Sequence, residues 1–387
     1  MAVTPNPDFW NGKRVFLTGH TGFKGSWMSL WLHKLGAEAA GYALEPDQKP
    51  SLYELIGGAP GSNETIADIR DQAKLCAAVE DFDPQILIHM GAQPLVRRSY
   101  ASPDETFDVN VMGTVRVLEA TRKAKSLKAV LIVTTDKVYW NSGAGSRFSE
   151  GDRLGGADPY STSKAACELV AECYRQAFLE KTGVRVATAR AGNVLGGGDF
   201  SEDRLVPDLV RAALKGVPPA IRNPFATRPW QHVLDCLCGY LLFAEALYED
   251  RFAAKALNFG PALHEPQLAV HEVATAVQRA MGIKEDWFAF AENAKLHEMQ
   301  TLGLDPSLAA RTMDWRCRLS QRETIEWTAD WYRDWRRGED ARKLTLAQLD
   351  AFMKGSLDHV SSVPLLPIPA AANRRRSRRN AVVEFVS

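Results

Sequence analysis

The sequence predicts an α/β protein with a Rossmann-type, doubly wound parallel sheet and a smaller, mixed α/β C-terminal lobe. Three observations predict this fold: short apolar runs alternate with helical patterns over the first two-thirds of the chain, a glycine-rich turn follows the first run, and polar residues follow a later one. Such alternation is typical of βαβ units in a parallel sheet. The continuous apolar runs also suit strands that helices cover on both faces.

The predicted elements divide the chain into three parts. We predict strands at residues 14–18, 39–44, 86–90, 130–134 and 185–190, and helices at 24–35, 72–80, 104–123 and 160–181. From about Gly192, glycine and proline become frequent and long loops separate the helices. We therefore expect residues 1–191 to form the Rossmann domain and residues 192–355 to form mainly the second lobe, with the chain free to cross back. Residues 356–387, rich in Pro, Ala and Arg, are expected to be a disordered tail.

The composition excludes several classes of protein. Lys plus Arg and Asp plus Glu number 47 each, so the chain lacks the net charge that would draw it onto nucleic acid or a membrane. Its apolar runs are far too short to span a bilayer, and we expect no signal peptide. The six cysteines form no CxxC pair, which favours reduced thiols in the cytoplasm over a disulfide framework or a metal site. A basic run such as that at 374–379 can bind nucleic acid or anionic lipid, but it lacks interleaved aromatic residues and is expected to be solvated instead.

A glycine-rich turn follows the first predicted strand. Its glycines have the spacing G-x-x-G-x-x-G, which allows close approach of the backbone to a pyrophosphate and close packing of the next helix. The free N–H groups at that helix N-terminus favour negative charge. Glycines at such a turn are often only structural, but the strand before them and the helix after them favour a dinucleotide cofactor. The predicted cofactor contacts in this turn are Gly19, His20, Thr21, Gly22, Phe23, Lys24 and Gly25.

An acidic residue at the end of the second predicted strand indicates which cofactor is bound. Glu45 lies 20 residues after Gly25, where a carboxylate would bind the adenosine ribose of NAD and repel the 2′-phosphate of NADP. Asp47 is an alternative for this role. Asp68 and Ile69 lie where a contact with adenine is expected. The sequence therefore predicts NAD.

Acid, base and hydroxyl groups follow the fourth of the predicted strands. Thr135, Asp136 and Lys137 lie at its carboxyl end, the edge at which open α/β sheets bind ligands. Further along, Tyr160 and Lys164 lie one turn apart on a helix face. The lysine ammonium is expected to lower the pKa of the phenol, which would then act as a general base. This spacing also arises by accident on surface helices, but its combination with the glycine turn predicts a site for hydride chemistry.

Together these motifs resemble the extended short-chain dehydrogenase/reductase family, and within it the nucleotide-sugar 4,6-dehydratases. The resemblance covers residues 9–352, and it is specific because a generic dehydrogenase would match only the first and fourth motifs. The motifs are GHTGFKGSW from Gly19, HMGAQPLVRRSY from His89, TTDKVY from Thr134, DPYSTSK from Asp158, RAGNVLGGGDF from Arg190, RPWQHVL from Arg228 and NFGP from Asn258.

The resemblance is greatest to the members that act on CDP-glucose, and it implies NAD-dependent loss of water from the sugar. Tyr160, assisted by Thr135, would take the proton of the C4 hydroxyl while hydride moves to NAD. Asp136 would protonate the departing C6 hydroxyl as a base removes the C5 proton, and the hydride would return to C6. Lys137 stands where dTDP-glucose members have glutamate, and two roles stay open for it: the base, or a group that positions the intermediate.

The resemblance also implies ligand contacts and an assembly. Gly91, Ala92 and Gln93 would border the cofactor, and the protein would form a homodimer or homotetramer. A guanidinium can bind phosphate through two hydrogen bonds, so an arginine is the best candidate for the pyrophosphate of CDP-glucose. That arginine is Arg228, whereas a structural role is equally consistent with the other candidates. The residues expected to meet the substrate are Asn193, Arg204, Asn223, Arg228 and His297.

Two alternatives stay open. A nucleotide-sugar 4-epimerase on the same fold needs Tyr160 and Lys164 but no group that expels the C6 hydroxyl. Asp136 and Lys137 argue against this alternative. A non-catalytic NAD-binding protein would keep the glycine turn and lose the chemistry, and the intact set of catalytic groups argues against that.

Overall fold

The centre of the protein is a seven-stranded, fully parallel sheet, which confirms the predicted doubly wound α/β class. The computed structural model describes residues 3–61, 63–143, 147–252, 254–283, 288–290 and 302–355. In chain order the strands are β1 (Arg14–Thr18), β2 (Glu38–Ala43), β3 (Asn63–Ile66), β4 (Ile86–His89), β5 (Ala129–Val133), β6 (Arg147–Phe148), β7 (Arg185–Ala191), β8 (Val194–Leu195), β9 (Ala220–Ile221), β10 (Gln231–His232), β11 (Ala256–Phe259), β12 (Ala289–Phe290) and β13 (Gly303–Leu304).

The order of the strands fixes where a ligand can bind. The order is β11-β7-β5-β4-β1-β2-β3, so it reverses between β1 and β4. A crevice at the carboxyl ends of the strands beside such a reversal is the usual ligand site of this fold. The five predicted strands correspond to β1, β2, β4, β5 and β7. The sequence did not predict β3, a half-polar edge strand, or β11, which lies beyond the expected domain boundary.

Helices cover both faces of the sheet. Alternate residues of β1 enter two different cores: Val15 and Leu17 lie in one with residues of the second and tenth helices, and Phe16 lies in the other with residues of the fourth, seventh and eighth. The helices are α1 (Pro7–Trp10), α2 (Phe23–Lys34), α3 (Leu52–Leu55), α4 (Gln72–Phe82), α5 (Val96–Ala101), α6 (Pro103–Phe107), α7 (Gly113–Thr121), α8 (Pro159–Tyr174), α9 (Leu205–Lys215), α10 (Val233–Tyr248), α11 (Val270–Ala280), α12 (Ser307–Met313), α13 (Gln321–Arg336) and α14 (Ala341–Lys354).

The helix predicted over 104–123 is not continuous. A π-helical turn at Asp108–Met112 separates α6 from α7. Within this turn the Asn110 amide donates to the Gln93 carbonyl oxygen at 3.1 Å and to the Ser163 hydroxyl at 2.9 Å. A π-helical turn is still helical, so a helical pattern in the sequence does not by itself reveal it.

The helix predicted over 160–181 also differs at both ends. Asp158 accepts a hydrogen bond from the Ser161 backbone N–H, and Pro159 takes the first helical position, so α8 begins there. Its last turns change pitch in a π-helical segment at Arg175–Leu179. The start is the part that matters for the site, because it fixes the first turn of α8 at the edge of the sheet.

The chain returns to the sheet after leaving it at the end of β7. Residues 233–247 of α10 are buried, and they pack against β5 and β7 in the core that contains Val15 and Leu17. Strand β11 then pairs with β7, and Asn258 lies opposite Arg190. The remaining short strands form parallel pairs outside the main sheet: β10 with β8, β12 with β9, and β13 with β6.

A tryptophan stripe on α13 is a packing face. Trp327 and Trp331 are buried, and Trp335 packs against the same core. Gly197 leaves no room for a side chain, since an added Cβ would lie 2.0 Å from Cγ of Trp331. This contact holds α13 against the loop that follows β8. Among the described residues, none of the helices offers the length of apolar sequence that a bilayer span needs.

Candidate active site

A cavity of about 620 Å³ opens at the carboxyl ends of the main-sheet strands. Its wall includes the residues that directly follow β1, β4, β5 and β7, among them Gly19, Gly91, Thr134 and Gly192. This is the crevice that the reversal of strand order predicts. Within the described part of the chain, no cluster of His, Cys, Asp or Glu side chains is arranged to hold a metal ion.

The glycine turn after β1 packs too tightly for side chains. Gly19 has a φ of +77°, and a Cβ there would lie 2.8 Å from the Gly91 backbone nitrogen. A Cβ on Gly25 would lie 2.0 Å from the Gly19 carbonyl oxygen. Gly22 caps α2 without a side-chain hydrogen bond, which leaves the first N–H groups of the helix available to an anion. The turn therefore has the backbone geometry of a pyrophosphate cradle.

Most predicted residues of this turn line the cavity, but His20 does not. Thr21, Phe23 and Lys24 are part of the wall. The His20 imidazole lies behind the turn, where a Cβ on Gly41 would be 2.6 Å from its Cγ. Burial lowers the pKa of His20, although the nearby Glu64 carboxylate opposes the shift. The His20 side chain is therefore not part of the cavity wall, and its contact with the cofactor stays a prediction.

The acidic residues at the β2 end of the cavity differ in their partners. The Asp47 carboxylate is 3.5 Å from Nη1 of Arg98. The Asp68 carboxylate binds Arg70 at 2.6 Å, a hydrogen bond that holds the pKa of Asp68 below its usual value. Within the described residues, Glu45 has neither a hydrogen bond nor an ion pair. Of the two candidates for the ribose contact, this arrangement favours Glu45 over Asp47.

The other predicted cofactor contacts lie along the same wall. Ile69 also lines the cavity, and its Cδ1 would be 3.5 Å from a Cβ on Gly91. Ala92 and Gln93 continue the wall after β4. Gln93 is buried, and its backbone N–H donates to Oδ1 of Asn110 at 2.8 Å. The segment after β4 is thus held rigidly beside the glycine turn.

The structure brings the predicted catalytic residues together. Thr135, Asp136 and Lys137 follow β5, and Tyr160 and Lys164 face them from the first turns of α8. All five line the cavity, and all but Lys137 are buried. The Thr135 hydroxyl donates to Oδ1 of Asp136 at 3.0 Å, and Nζ of Lys164 donates to the Val133 carbonyl oxygen at 3.1 Å.

The prediction that Lys164 lowers the pKa of Tyr160 is wrong for this structure. Burial raises the pKa of Tyr160 to about 12. The Thr135 hydrogen bond and the charge of Arg204 oppose this shift. Burial also lowers the pKa of Lys164, whose ammonium points to a strand carbonyl oxygen. A helical i,i+4 spacing places two residues on one face, but it does not determine where the lysine side chain points.

The Asp136 carboxyl group is buried in the cavity wall. Burial raises its pKa, with the charge of Lys137, the Thr135 hydroxyl and the charge of Arg228 opposing the shift. Oδ2 is buried and has no hydrogen-bond partner among the described residues. It packs beside Gly192, where a Cβ would be only 3.2 Å away. Burial therefore makes this carboxyl a weaker acid than an exposed aspartate.

Four of the five predicted substrate residues line the cavity: Asn193, Arg204, Asn223 and Arg228. Arg228 is buried, and its Nη1 donates to the Thr227 carbonyl oxygen at 2.8 Å. The fifth predicted residue, His297, lies outside the described residues, as does the tail at 356–387.

Sequence reasoning missed an ion-pair group on the cavity wall. Asp203 binds Nη1 of Arg97 at 2.9 Å and Nη1 of Arg222 at 2.8 Å. These contacts join α5 to the loop before α9. Arg97 lies in one of the quoted motifs, but nothing in its spacing indicates the two partners.

Comparisons with known proteins identify the family of this chain. The family model for GDP-mannose 4,6 dehydratase matches residues 16–328. CDP-glucose 4,6-dehydratase from Salmonella typhimurium is 42% identical over 355 residues, which is 90% of this chain and 98% of that protein. The crystal structure of a Thermus thermophilus UDP-glucose 4-epimerase complex with NAD aligns with a TM-score of 0.71 and 26% identity, over 83% of this chain and 99% of that one. The chain belongs to the GDP-mannose 4,6-dehydratase family, within the extended short-chain dehydrogenases/reductases.

Proposed function

We propose that the protein is a CDP-glucose 4,6-dehydratase, which converts CDP-D-glucose to CDP-4-keto-6-deoxy-D-glucose and water. One observation carries the proposal: the buried Asp136 carboxyl lies in the same cavity wall as the Tyr160 and Lys164 pair. An epimerase needs the pair alone, whereas a dehydratase also needs an acid for the departing hydroxyl. The 42% identity to the Salmonella CDP-glucose enzyme supports the same choice of substrate.

The cofactor is NAD, and the cavity has the groups to hold it. The Gly19–Gly25 turn and the N-terminus of α2 receive the pyrophosphate, and Glu45 receives the adenosine ribose. Asp68, Ile69 and the segment after β4 border the rest of the cofactor. When bound, NAD accepts hydride from C4 of the sugar and returns it to C6. The free carboxylate of Glu45 favours NAD over NADP, since a 2′-phosphate would be repelled.

The oxidation half of the reaction uses the residues of α8. Tyr160 takes the proton of the C4 hydroxyl, and Thr135 binds the same oxygen. Since burial raises the pKa of Tyr160, the chain needs nearby positive charge to make the phenol a base. Arg204 supplies part of that charge. The Lys164 ammonium donates to the Val133 carbonyl oxygen, and from this position it contacts the cofactor.

The elimination half uses the residues after β5. The ketone at C4 makes the C5 proton acidic, and Lys137 in its neutral form takes that proton and returns a proton to C5 as hydride returns to C6. Asp136 gives its proton to the departing C6 hydroxyl, which leaves as water. Arg228, with its fixed guanidinium, binds the pyrophosphate of the substrate, and Asn193 and Asn223 border the nucleotide.

Turnover of four nucleotide sugars tests this function. The protein, supplied with NAD, is incubated in parallel with CDP-, dTDP-, GDP- and UDP-glucose, and the sugars are identified by mass and by ultraviolet difference spectra. We expect a 4-keto-6-deoxy sugar, 18 mass units (about one water) lighter, from CDP-glucose ahead of the other three. A sugar inverted at C4 and of unchanged mass would instead identify an epimerase. Binding without any conversion would identify a non-catalytic protein.

An exposed apolar face supports a homodimer. Leu169 on α8 is 64% exposed, and Phe107, Met112 and Phe178 on the neighbouring helical segments are also exposed. Apolar residues that cluster on one exposed face favour an interface with another copy of the chain. Assembly into a homotetramer would need a further interface, and a cytoplasmic location stays a prediction.

The dimer face can be tested with one charge. We expect Leu169→Glu to convert the dimer to a monomer in size-exclusion chromatography with light scattering, because a buried carboxylate at the interface is costly. Leu214→Glu is the matched control, since Leu214 is 52% exposed on α9, away from this face. A parent protein that is already monomeric would contradict the prediction, and so would a dimer that survives in Leu169→Glu.

A further inference from the structure

A buried ion pair lies behind the proposed catalytic groups. Glu168, one turn after Lys164 on α8, accepts two hydrogen bonds from Arg190 on β7: Nε to Oε1 at 3.0 Å and Nη2 to Oε2 at 2.8 Å. Both side chains are at most 5% exposed. The hydroxyl of Thr134 donates to Oε1 and that of Thr188 to Oε2, each at 2.5 Å. Each carboxylate oxygen therefore has two partners, which is what a buried ion pair requires.

One arm of Arg190 extends away from this pair. Its Nη1 donates to the Tyr139 hydroxyl at 2.8 Å and to the Glu150 carbonyl oxygen at 3.1 Å. The Tyr139 hydroxyl in turn donates to Oδ1 of Asn258 at 2.7 Å. The Asn258 amide donates to the Phe148 carbonyl oxygen at 2.9 Å. Tyr139 is thus fixed between neighbouring strands β7 and β11.

These bonds hold both ends of the segment that carries the elimination groups. Thr134 and Tyr139 flank Thr135, Asp136 and Lys137 in the chain. Thr134 binds Glu168 of the ion pair, and Tyr139 binds Arg190. The glutamate itself belongs to α8, the helix that carries the oxidation groups. One buried network therefore connects the two halves of the proposed catalytic set.

We propose that Tyr139 is a positioning residue for elimination, which fixes the placement of Asp136 relative to the helix that carries Tyr160. This inference rests on the proposed function. Tyr139 is not part of the cavity wall, so it acts through Arg190 and Glu168 and not by contact with substrate. If the Tyr139 hydroxyl is lost, the backbone bridge between Tyr139 and Leu154 remains, but the segment loses its tie to Arg190 and thereby to α8. A misplacement of about 1 Å can cost about 100-fold in rate.

Tyr139→Phe removes this anchor and leaves the ring in the core. Under single turnover with CDP-glucose, we expect the sugar to be oxidised at the parent rate and water to be lost about 10- to 100-fold more slowly. Reduced nicotinamide should therefore accumulate. Thr188→Val is the matched control, since it also removes one buried hydroxyl from the network but on the strand side. We expect Thr188→Val to have a lower Tm than the parent but the same ratio of oxidation rate to water-loss rate.

The readout is the ratio of the rate of sugar oxidation to the rate of water loss, which a purely structural role of Tyr139 would not change. The inference would be overturned if Tyr139→Phe had the same ratio of the two rates as the parent. It would also be overturned if Thr188→Val changed this ratio as much as Tyr139→Phe does. If Tyr139→Phe fails to fold, Arg190→Lys keeps the charge beside Glu168 but cannot reach both partners, and the same slow elimination is expected. A parent protein that makes no 4-keto-6-deoxy sugar would overturn the proposed function and this inference with it. If the parent makes the 4-keto-6-deoxy sugar and Tyr139→Phe has the same rates as the parent, only this inference is overturned.

Discussion

Asp136→Asn is expected to fold, to oxidise the sugar and to lose water very slowly. Asparagine keeps the size of the side chain but has no proton to give, and general acid catalysis contributes about 10²–10⁴-fold. Under single turnover with CDP-glucose, the absorbance of reduced nicotinamide should therefore persist far longer than in the parent. Asp81→Asn, at an exposed position on α4, is the control and should match the parent.

The same variant has an expected effect on stability, with a defined pH dependence. Burial raises the pKa of Asp136 above the ordinary value of 3.8, so folding binds a proton and stability falls as pH rises from that value through the raised pKa. Asparagine does not ionise. The Tm of Asp136→Asn relative to the parent should rise over this pH window and then level off. Dehydration at the parent rate would show that Asp136 is not the acid, and a lower Tm with parent kinetics would make it a structural residue.

Tyr160→Phe is expected to keep the fold and lose turnover by about 10²–10⁴-fold, because one hydroxyl is the proposed base for the C4 proton. NAD should still bind, which a fluorescence titration would measure, and no reduced nicotinamide should form with CDP-glucose. This last result separates the variant from Asp136→Asn, in which oxidation remains. Tyr174→Phe, on the same helix with its hydroxyl on Glu119, is the matched control. Turnover near that of the parent would refute the role of Tyr160.

Much of the fold could be predicted because its strands are short apolar runs between helices. Strand β5, buried at every residue, gives the strongest such signal. The edge strand β3 has Asn and Glu in four residues, so its pattern is that of a loop. The π-helical turn at Asp108–Met112 depends on side-chain contacts made by Asn110, and these contacts join segments far apart in the chain.

The candidate site was predictable where function follows from position along a strand. Residues just after β1, β4 and β5 meet at one edge of the sheet, and the structure places the glycine turn and Asp136 there. Contacts across long separations were not predictable. Tyr139 lies 51 residues from Arg190 and 119 from Asn258 in sequence, and all three stood in motifs without an assigned role. The pKa of Tyr160 was also beyond reach, since burial outweighs its charged neighbours.

The return of the chain to the sheet has a consequence for synthesis on the ribosome. When β7 has emerged, the sheet still lacks β11 at its edge and α10 over one face. Translation at about 5–20 residues per second needs several seconds more to deliver them. During that time the apolar side chains that α10 covers, including Leu131 and Ala189, face water or a chaperone. The main sheet therefore cannot be completed before α10 and β11 have been made, and a gene cut after β7 would encode an aggregation-prone product.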